Sequence, residues 1–317
     1  EQKKLTNVAV IEPADTHYYQ AAWTLVGAGT YDYAKTGRPM ASVMPKQATW
    51  IKDKATGFDP ENNTVHTEKS GDVTYDYLVV APGLVYDMDM VPGLGDALDK
   101  GVVCSNYTDP EHTWEVIQNF KGGTALFTQP ATPIKCGGAP QKIMYLSDDY
   151  FRKTGVRDDI NVVFAVPGTV IFGVEPFKSK LMEVVDRKDI FLRFYHKLTR
   201  IDGENKTASY TVTLEGKDPE KLFYNQKDIG EQWVSETEVA IPFDLMHLAP
   251  PQSAPDFIQK SKLANQDGPN KGWIETNQYT MQHQRYSNVF AIGDAADLPT
   301  AKTGAAIRKQ APVLVSH

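Results

Sequence analysis

Two clusters and one isolated acid in this chain combine residue types and spacing that could do chemistry. Cys136 follows Lys135 in the run Lys135-Cys136-Gly137-Gly138-Ala139-Pro140, just ahead of a helical pattern over 141–153. A helix N-terminus and a neighbouring cation both favour thiolate, the form that attacks disulfides, sulfide-derived sulfur or a flavin. A buried structural thiol is the other reading of Cys136, and both stand at this point. Cys104 lies in the apolar stretch Val102-Val103-Cys104-Ser105 and reads as a core thiol. Pairing of the two cysteines stays open, because spacing along the chain gives no distance.

The second cluster is Phe290-Ala291-Ile292-Gly293-Asp294 with Lys302. An apolar strand runs into a glycine that lets the backbone approach a ligand, and Asp294 then falls at the strand's C-terminal edge, where α/β folds bind cofactors. Such an aspartate can accept hydrogen bonds from the ribityl hydroxyls of a flavin. A helix starts next, at 299–303, and its dipole together with Lys302 would favour negative charge on a reduced flavin. A surface Gly-Asp turn with a solvated lysine is the alternative. The isolated acid is Glu12, which closes the apolar run Val8-Ala9-Val10-Ile11. At the end of the second strand of a dinucleotide-binding unit an acid accepts ribose hydroxyls, and its companion Gly-x-Gly-x-x-Gly turn would lie before Glu1.

Other chemistries lack their residues. Asn161 to Val166 reads as a strand where a second dinucleotide-binding turn would follow, but Gly168 and Gly173 do not fit Gly-x-Gly-x-x-Gly, and Pro167 with Val170-Ile171-Phe172 would crowd a pyrophosphate. The histidines have no metal-ligand spacing, no Ser-His-Asp elbow is visible, and no metal site is expected. With 33 Lys+Arg against 40 Asp+Glu the chain has no basic stripe for nucleic acid. Two cysteines cannot build a disulfide scaffold or a complete cysteine-based zinc site.

The elements that must position these residues follow from the apolar periodicity. Short strands are expected at 8–11, 77–81, 125–127, 161–166, 190–195, 207–214 and 289–292, the first two buried and stopped by Pro13 and by Pro82-Gly83, and 240–248 returns to the core. A hairpin is expected where 64–67 and 73–75 flank Lys69-Ser70-Gly71-Asp72. Helices are expected after the capping sequence Thr108-Asp109-Pro110-Glu111, at 141–153 with Gly155 as its stop, around Phe177-Leu181-Val185, and at 303–315. The stretch 216–232 is polar and reads as an exposed insertion. At 317 residues, 41% hydrophobic, the chain has length and apolar content for two α/β units. No apolar run reaches the roughly 20 residues of a spanning helix. Glu1 is not a methionine and His317 falls within a helical pattern, so both ends read as cuts through a longer protein.

These residues together resemble the sulfide:quinone oxidoreductase family, especially its mitochondrial-type branch within the FAD-dependent pyridine nucleotide-disulfide oxidoreductases. The stretches that carry the resemblance are Val10-Ile11-Glu12-Pro13, His17-Tyr18-Tyr19-Gln20, Trp23-Thr24-Leu25-Val26-Gly27-Ala28-Gly29, Gly37-Arg38-Pro39, 132–146 around Cys136, and Gly293-Asp294 through Leu298-Pro299-Thr300-Ala301-Lys302-Thr303. The Cys136 stretch is the most specific of them. The resemblance implies two Rossmann-like dinucleotide-binding domains with an inserted β-meander, the second lacking a usable NAD(P)H motif. It implies an FAD-binding domain over 1–105 and 265–317 and a second domain over 106–264 that carries the redox cysteine.

By the same resemblance Glu12 is the FAD ribose acid, Gln20 a nearby FAD contact, Ala55 a backbone contact on the adenine side, Asp294 the ribityl acid and Lys302 the lysine near the flavin ring. Pro82, Gly83 and Gly293 join them as cofactor-binding positions, and Cys136 is the redox cysteine against the flavin. The implied activity oxidises hydrogen sulfide through a cysteine persulfide and passes two electrons by way of FAD to ubiquinone or a similar quinone, with glutathione or sulfite as sulfur acceptor. The implied place is peripheral on the mitochondrial inner membrane, or on a bacterial cytoplasmic membrane. The family's second redox cysteine and its membrane-attaching segments would lie beyond His317. Rival readings are an NAD(P)H:quinone oxidoreductase and a non-catalytic flavoprotein scaffold.

Overall fold

The computed structural model describes residues 7–213, 222–225 and 227–317. Val8–Ile11 pairs in parallel with Ala48–Ile51, in the register Val10 to Trp50. Leu78–Val80 pairs in parallel with Val289–Ala291, so that Val80 lies opposite Ala291 and both chains leave the sheet at the same end. Between these pairs an antiparallel meander of Ala55–Asp59, Thr64–Thr67 and Asp72–Thr74 forms the expected hairpin. Its turn is closed by buried Asp53, whose carboxylate accepts the amide hydrogens of Lys54, Lys69 and Ser70.

Two strands expected to be buried are only partly so. Val8 is 40% and Val79 49% exposed, although Val80 is buried. Each belongs to a two-stranded sheet, and among the described residues no further strand covers the other edge of Val8–Ile11. Apolar sequence there specifies a strand but does not by itself supply a cover.

The larger sheet has six strands in the order Val103–Cys104, Leu245–Leu248, Gly123–Thr128, Ile160–Ala165, Phe191–Arg193 and Phe223–Tyr224. The first five run parallel and the last antiparallel. Strands buried on both faces must be apolar throughout, and Ala125, Leu126, Phe127, Val162, Val163 and Phe164 are all fully buried. Helices Pro110–Asn119, Ala139–Lys153 and Phe177–Lys188 cover this sheet. The first is capped by Asp109, whose carboxylate accepts the His112 amide hydrogen, with Pro110 in the first turn, where a missing N–H costs nothing. The second ends at Gly155, which takes φ +74°.

One buried carboxylate ties the second helix to its surroundings. Asp148 receives Arg157, Arg152 and Lys188. Burial pushes this carboxyl up, but the three cations more than offset it and hold it below the ordinary range.

A four-stranded antiparallel sheet follows, ordered His196–Asp202, Thr207–Val212, Glu238–Pro242, Gln232–Trp233. The first of these strands is absent from the sequence reading. Its alternation is blurred by Lys197, Thr199 and Arg200 and broken by a register shift between Leu198 and Arg200. The expected exposed insertion over 216–232 lies outside the described residues at 216–221 and 226. Elsewhere it needs correction: Leu222 and Ile229 are buried, and Phe223–Tyr224 joins the six-stranded sheet.

Two main apolar cores result. One surrounds the six-stranded sheet and takes in Val91, Leu94, Ala97 and Val103. The other gathers Val80, Ala254, Ile258, Leu263, Trp273, Val289 and Ala291. Among the described residues no helix is long and apolar enough to cross a membrane.

Candidate active site

Cys136 stands at the mouth of the Ala139–Lys153 helix in a backbone conformation that cysteine seldom adopts, with φ +51°. A non-glycine residue held there carries strain, and three contacts keep it in place. Its N–H donates to the Lys302 carbonyl at 2.9 Å, its own carbonyl accepts the Ala139 N–H at 2.8 Å, and the Tyr107 hydroxyl donates to the carbonyls of Lys135 and Cys136 at 3.3 and 3.4 Å. Lys135 and Lys302 form a parallel bridge. The cysteine loop and the segment after Gly293-Asp294, 166 positions apart by number at Cys136 and Lys302, are thereby fastened side by side.

The cation on the sulfur is Lys142, whose Nζ lies 3.6 Å from Cys136 Sγ. The sequence reading had assigned that part to Lys135. Lys135 instead turns its Nζ to Gln20 Oε1 at 2.5 Å and lies 4.9 Å over the ring of Tyr86. Lys142 is reached because the helix begins only at Ala139 and brings its first turn back over the sulfur.

Asp294 sits beyond the Val289–Ala291 strand, half-buried, after a Gly293 with φ +74°. A Cβ on Gly293 would approach Ile307 Cδ1 to 2.9 Å. Burial pushes the Asp294 carboxyl up, and the nearby charges of Lys135 and Lys302 pull the other way. Lys302 donates from Nζ to the carbonyls of Asp294 and Ala296 at 2.5 and 3.0 Å and lies 3.9 Å over the Trp273 ring. Burial lowers its ammonium to about 8, with Asp294 and Asp297 opposing the shift. Burial also lowers Lys135, again opposed by Asp294. The Tyr86 and Tyr107 hydroxyls are pushed up by burial; Tyr86 donates to the Tyr107 carbonyl at 2.8 Å.

The structure thus brings Cys136, Gln20, Gly293, Asp294 and Lys302 into one neighbourhood, with Pro82 and Gly83 leaving the same sheet end as Gly293. Glu12 and Ala55 form a separate group around the Ala48–Ile51 strand. The Glu12 N–H donates to the Ile51 carbonyl, and its Oε1 accepts the Ala14 N–H at 2.8 Å. Ala55 opens the meander strand opposite Thr67.

Sequence reasoning missed Tyr86, Tyr107, Lys142, Gln252 and Trp273. Only Lys142 had a signal available, its place one turn into the helix that follows the cysteine. Cys104 is fully buried, in register with His247, and burial pushes its thiol far up; both cysteines are free.

An FAD fits the residues that are present. No hydrogen bond from a described side chain or amide reaches the Asp294 carboxylate, which leaves it open to hydroxyl donors at the C-terminal edge of its strand. Gly83 has φ +79° and open space where a Cβ would stand.

These features define a class: an α/β fold of the Rossmann-like kind, with a cysteine fastened beside the end of the Val289–Ala291 strand. No family model matches the chain. The mouse protein named mitochondrial sulfide:quinone oxidoreductase is 37% identical over 310 residues, which is 97% of this chain and 64% of the mouse protein. Two solved structures share the fold, each at 19% identity. One is a chain of the Tetrahymena thermophila mitochondrial ATP synthase, with a TM-score of 0.77, covering 97% of this chain and 71% of that one. The other is the sulfide:quinone oxidoreductase of Aquifex aeolicus, with a TM-score of 0.73, covering 94% and 66%. The chain is similar to proteins named mitochondrial sulfide:quinone oxidoreductase and spans a little under two thirds of the mouse protein's length.

Proposed function

We propose that the chain forms the sulfur- and flavin-facing part of an FAD-dependent sulfide:quinone oxidoreductase. In this reading it oxidises hydrogen sulfide and delivers two electrons to ubiquinone or a similar membrane quinone. The observation that carries this reading is the convergence on Cys136 of a cation at its sulfur, Lys142, and of the Lys302 and Asp294 segment from 166 positions further along the chain. When bound, FAD would supply two-electron acceptance between the sulfur and the quinone.

Glu12 would hold its ribose hydroxyls and Asp294 its ribityl hydroxyls. Gln20, Ala55, Pro82, Gly83 and Gly293 would line its path, and Lys302 would keep a cation at the ring. Cys136 would be the flavin-side end of a sulfur bridge to a second cysteine; hydrosulfide attack breaks an S–S bond of that bridge, leaving a persulfide on one cysteine and a thiolate on the other, and bound FAD would accept the electron pair. Lys142 stabilises the ionised form of Cys136, and the contacts from Lys302, Ala139 and Tyr107 hold the thiol in position against the cofactor. The outer sulfur of the persulfide would pass to an acceptor such as glutathione or sulfite, which releases the carrying cysteine as thiolate. The division into an FAD-binding part over 1–105 and 265–317 and a cysteine-bearing part over 106–264 belongs to the same proposal. So does peripheral attachment to the mitochondrial inner membrane, of which the name of the mouse relative supports the mitochondrion.

The test is sulfide-dependent reduction of a short-chain ubiquinone by the FAD-loaded full-length protein and its Cys136→Ser variant. Loss of at least 100-fold of the rate (roughly what removal of one group from a catalytic unit costs) is expected. Full activity in the variant would overturn the reading and favour a scaffold role, and NADH-driven bleaching of the flavin would revive a pyridine-nucleotide enzyme.

A further inference from the structure

Gln252 is 1% exposed and opens the short strand Gln252–Ser253, which pairs antiparallel with Val85–Tyr86, Gln252 opposite Tyr86. Its backbone N–H donates to Thr132 Oγ1 at 3.0 Å, and its side-chain Oε1 accepts the backbone N–H of Lys135 at 2.7 Å. The second contact fixes the orientation of the amide, because a flipped group would set donor against donor. The NH2 end is therefore committed to the other side, and Nε2 is buried with no partner. An apolar side chain of similar length would avoid that penalty but would leave the Lys135 N–H unpaired instead.

The surroundings are those of the cysteine site. Tyr86, opposite Gln252, lies under the Lys135 ammonium and packs edge-on against Tyr107, with ring centroids 6.5 Å apart. Tyr107, Ala139 and Ala249 form the apolar cluster against which Cys136 packs.

We propose that Gln252 is a positioning residue of the Cys136 site. Its carbonyl end fixes the Lys135-Cys136 segment. Its amide hydrogens are buried and unpaired with no accessible space beside them, so an acceptor atom bound beside Cys136, either a carbonyl oxygen of the flavin ring or a sulfur anion, meets them only once that segment shifts on binding. This rests on the sulfur and flavin reading given above.

Two variants separate the two ends. Gln252→Met keeps the length and removes both; Gln252→Glu, followed from neutral to alkaline pH because burial raises its carboxyl, keeps an acceptor for the Lys135 N–H and, once ionised, removes the donor. The first readout is the rate at which iodoacetamide alkylates Cys136 in the protein without added sulfide, followed by mass. Gln252→Met is expected to change it at least threefold and Gln252→Glu to leave it within twofold. An unchanged rate in Gln252→Met overturns the positioning role.

The second readout is the affinity for FAD, with the position of its visible absorption bands, and the third is the KM for sulfide. If the acceptor is a flavin carbonyl, both variants weaken FAD binding at least tenfold and shift the bands. If it is a sulfur anion, FAD affinity is kept while the sulfide KM rises at least tenfold with little change in kcat. Wild-type values of all three in Gln252→Glu overturn the donor role. Failure of the sulfide reading itself would show in wild type and Cys136→Ser, whereas the alkylation and FAD arms report on Gln252 regardless.

Discussion

Replacing Lys142 by methionine removes the cation that stands 3.6 Å from Cys136 Sγ while keeping most of the side-chain volume. Two unit charges at that distance attract by about 1 kcal/mol when water screens them fully, and that limit applies because Lys142 is exposed. One kilocalorie corresponds to roughly a fivefold change in an equilibrium constant. The intrinsic nucleophilicity of a thiolate falls as it is stabilised, with a Brønsted coefficient of about 0.4–0.5, which recovers part of the loss. The net expectation is a two- to threefold slower alkylation of Cys136 in Lys142→Met near neutral pH. Lys142→Arg should retain most of the wild-type rate.

The assay is iodoacetamide labelling at low ionic strength, read by intact mass, and Cys104 serves as the silent internal control because it is fully buried. At about 1 M salt the Debye length shrinks to about 3 Å and the difference should largely disappear. Equal rates for wild type and Lys142→Met at low salt would refute the assignment of Lys142 as the thiolate's cation. A ratio that persists unchanged at high salt would refute its electrostatic origin.

Two further outcomes follow from the same structure. Asp148→Asn leaves Arg152, Arg157 and Lys188 around a neutral group and should cost about 3–5 kcal/mol in urea unfolding followed by circular dichroism; a loss under about 1 kcal/mol would contradict the buried network. Lys302 is lowered by burial to about 8, so between there and its ordinary range the unfolded chain holds more protons and the folded state gains stability as pH rises. The stability of wild type relative to Lys302→Met should therefore increase by about 1–2 kcal/mol between pH 7 and pH 9.5, and a flat or falling difference in melting experiments would show that Lys302 is not desolvated.

Much of the frame was legible because its signals are local. Val162-Val163-Phe164 and Ala125-Leu126-Phe127 are continuous apolar runs that only a doubly covered sheet accommodates, and Asp109 before Pro110 writes a helix start in two residues. Gly293-Asp294 and Cys136 stood out because a strand end and a helix start give such residues a direction. What the chain order concealed is who faces whom. Lys135 is the sequence neighbour of Cys136, but its side chain goes to Gln20 and Tyr86, whereas Lys142 arrives by helical return. Tyr107 and Gln252 reach the cysteine loop from 29 and 116 positions away by number, with nothing in their local sequence to announce it. Val8 and Val79 look like core residues, and their exposure depends on neighbouring strands that periodicity cannot count.

The backbone bridge between Lys135 and Lys302 has a mechanical meaning as well as a chemical one. It joins the middle of the chain to its C-terminal part at the point where the Cys136 sulfur sits, like a clasp. The two parts cannot swing apart there without releasing the Cys136 amide hydrogen from the Lys302 carbonyl. Exchange of that single amide with deuterated solvent would thus time how often the clasp opens, and any molecule that seats itself against it should slow that clock.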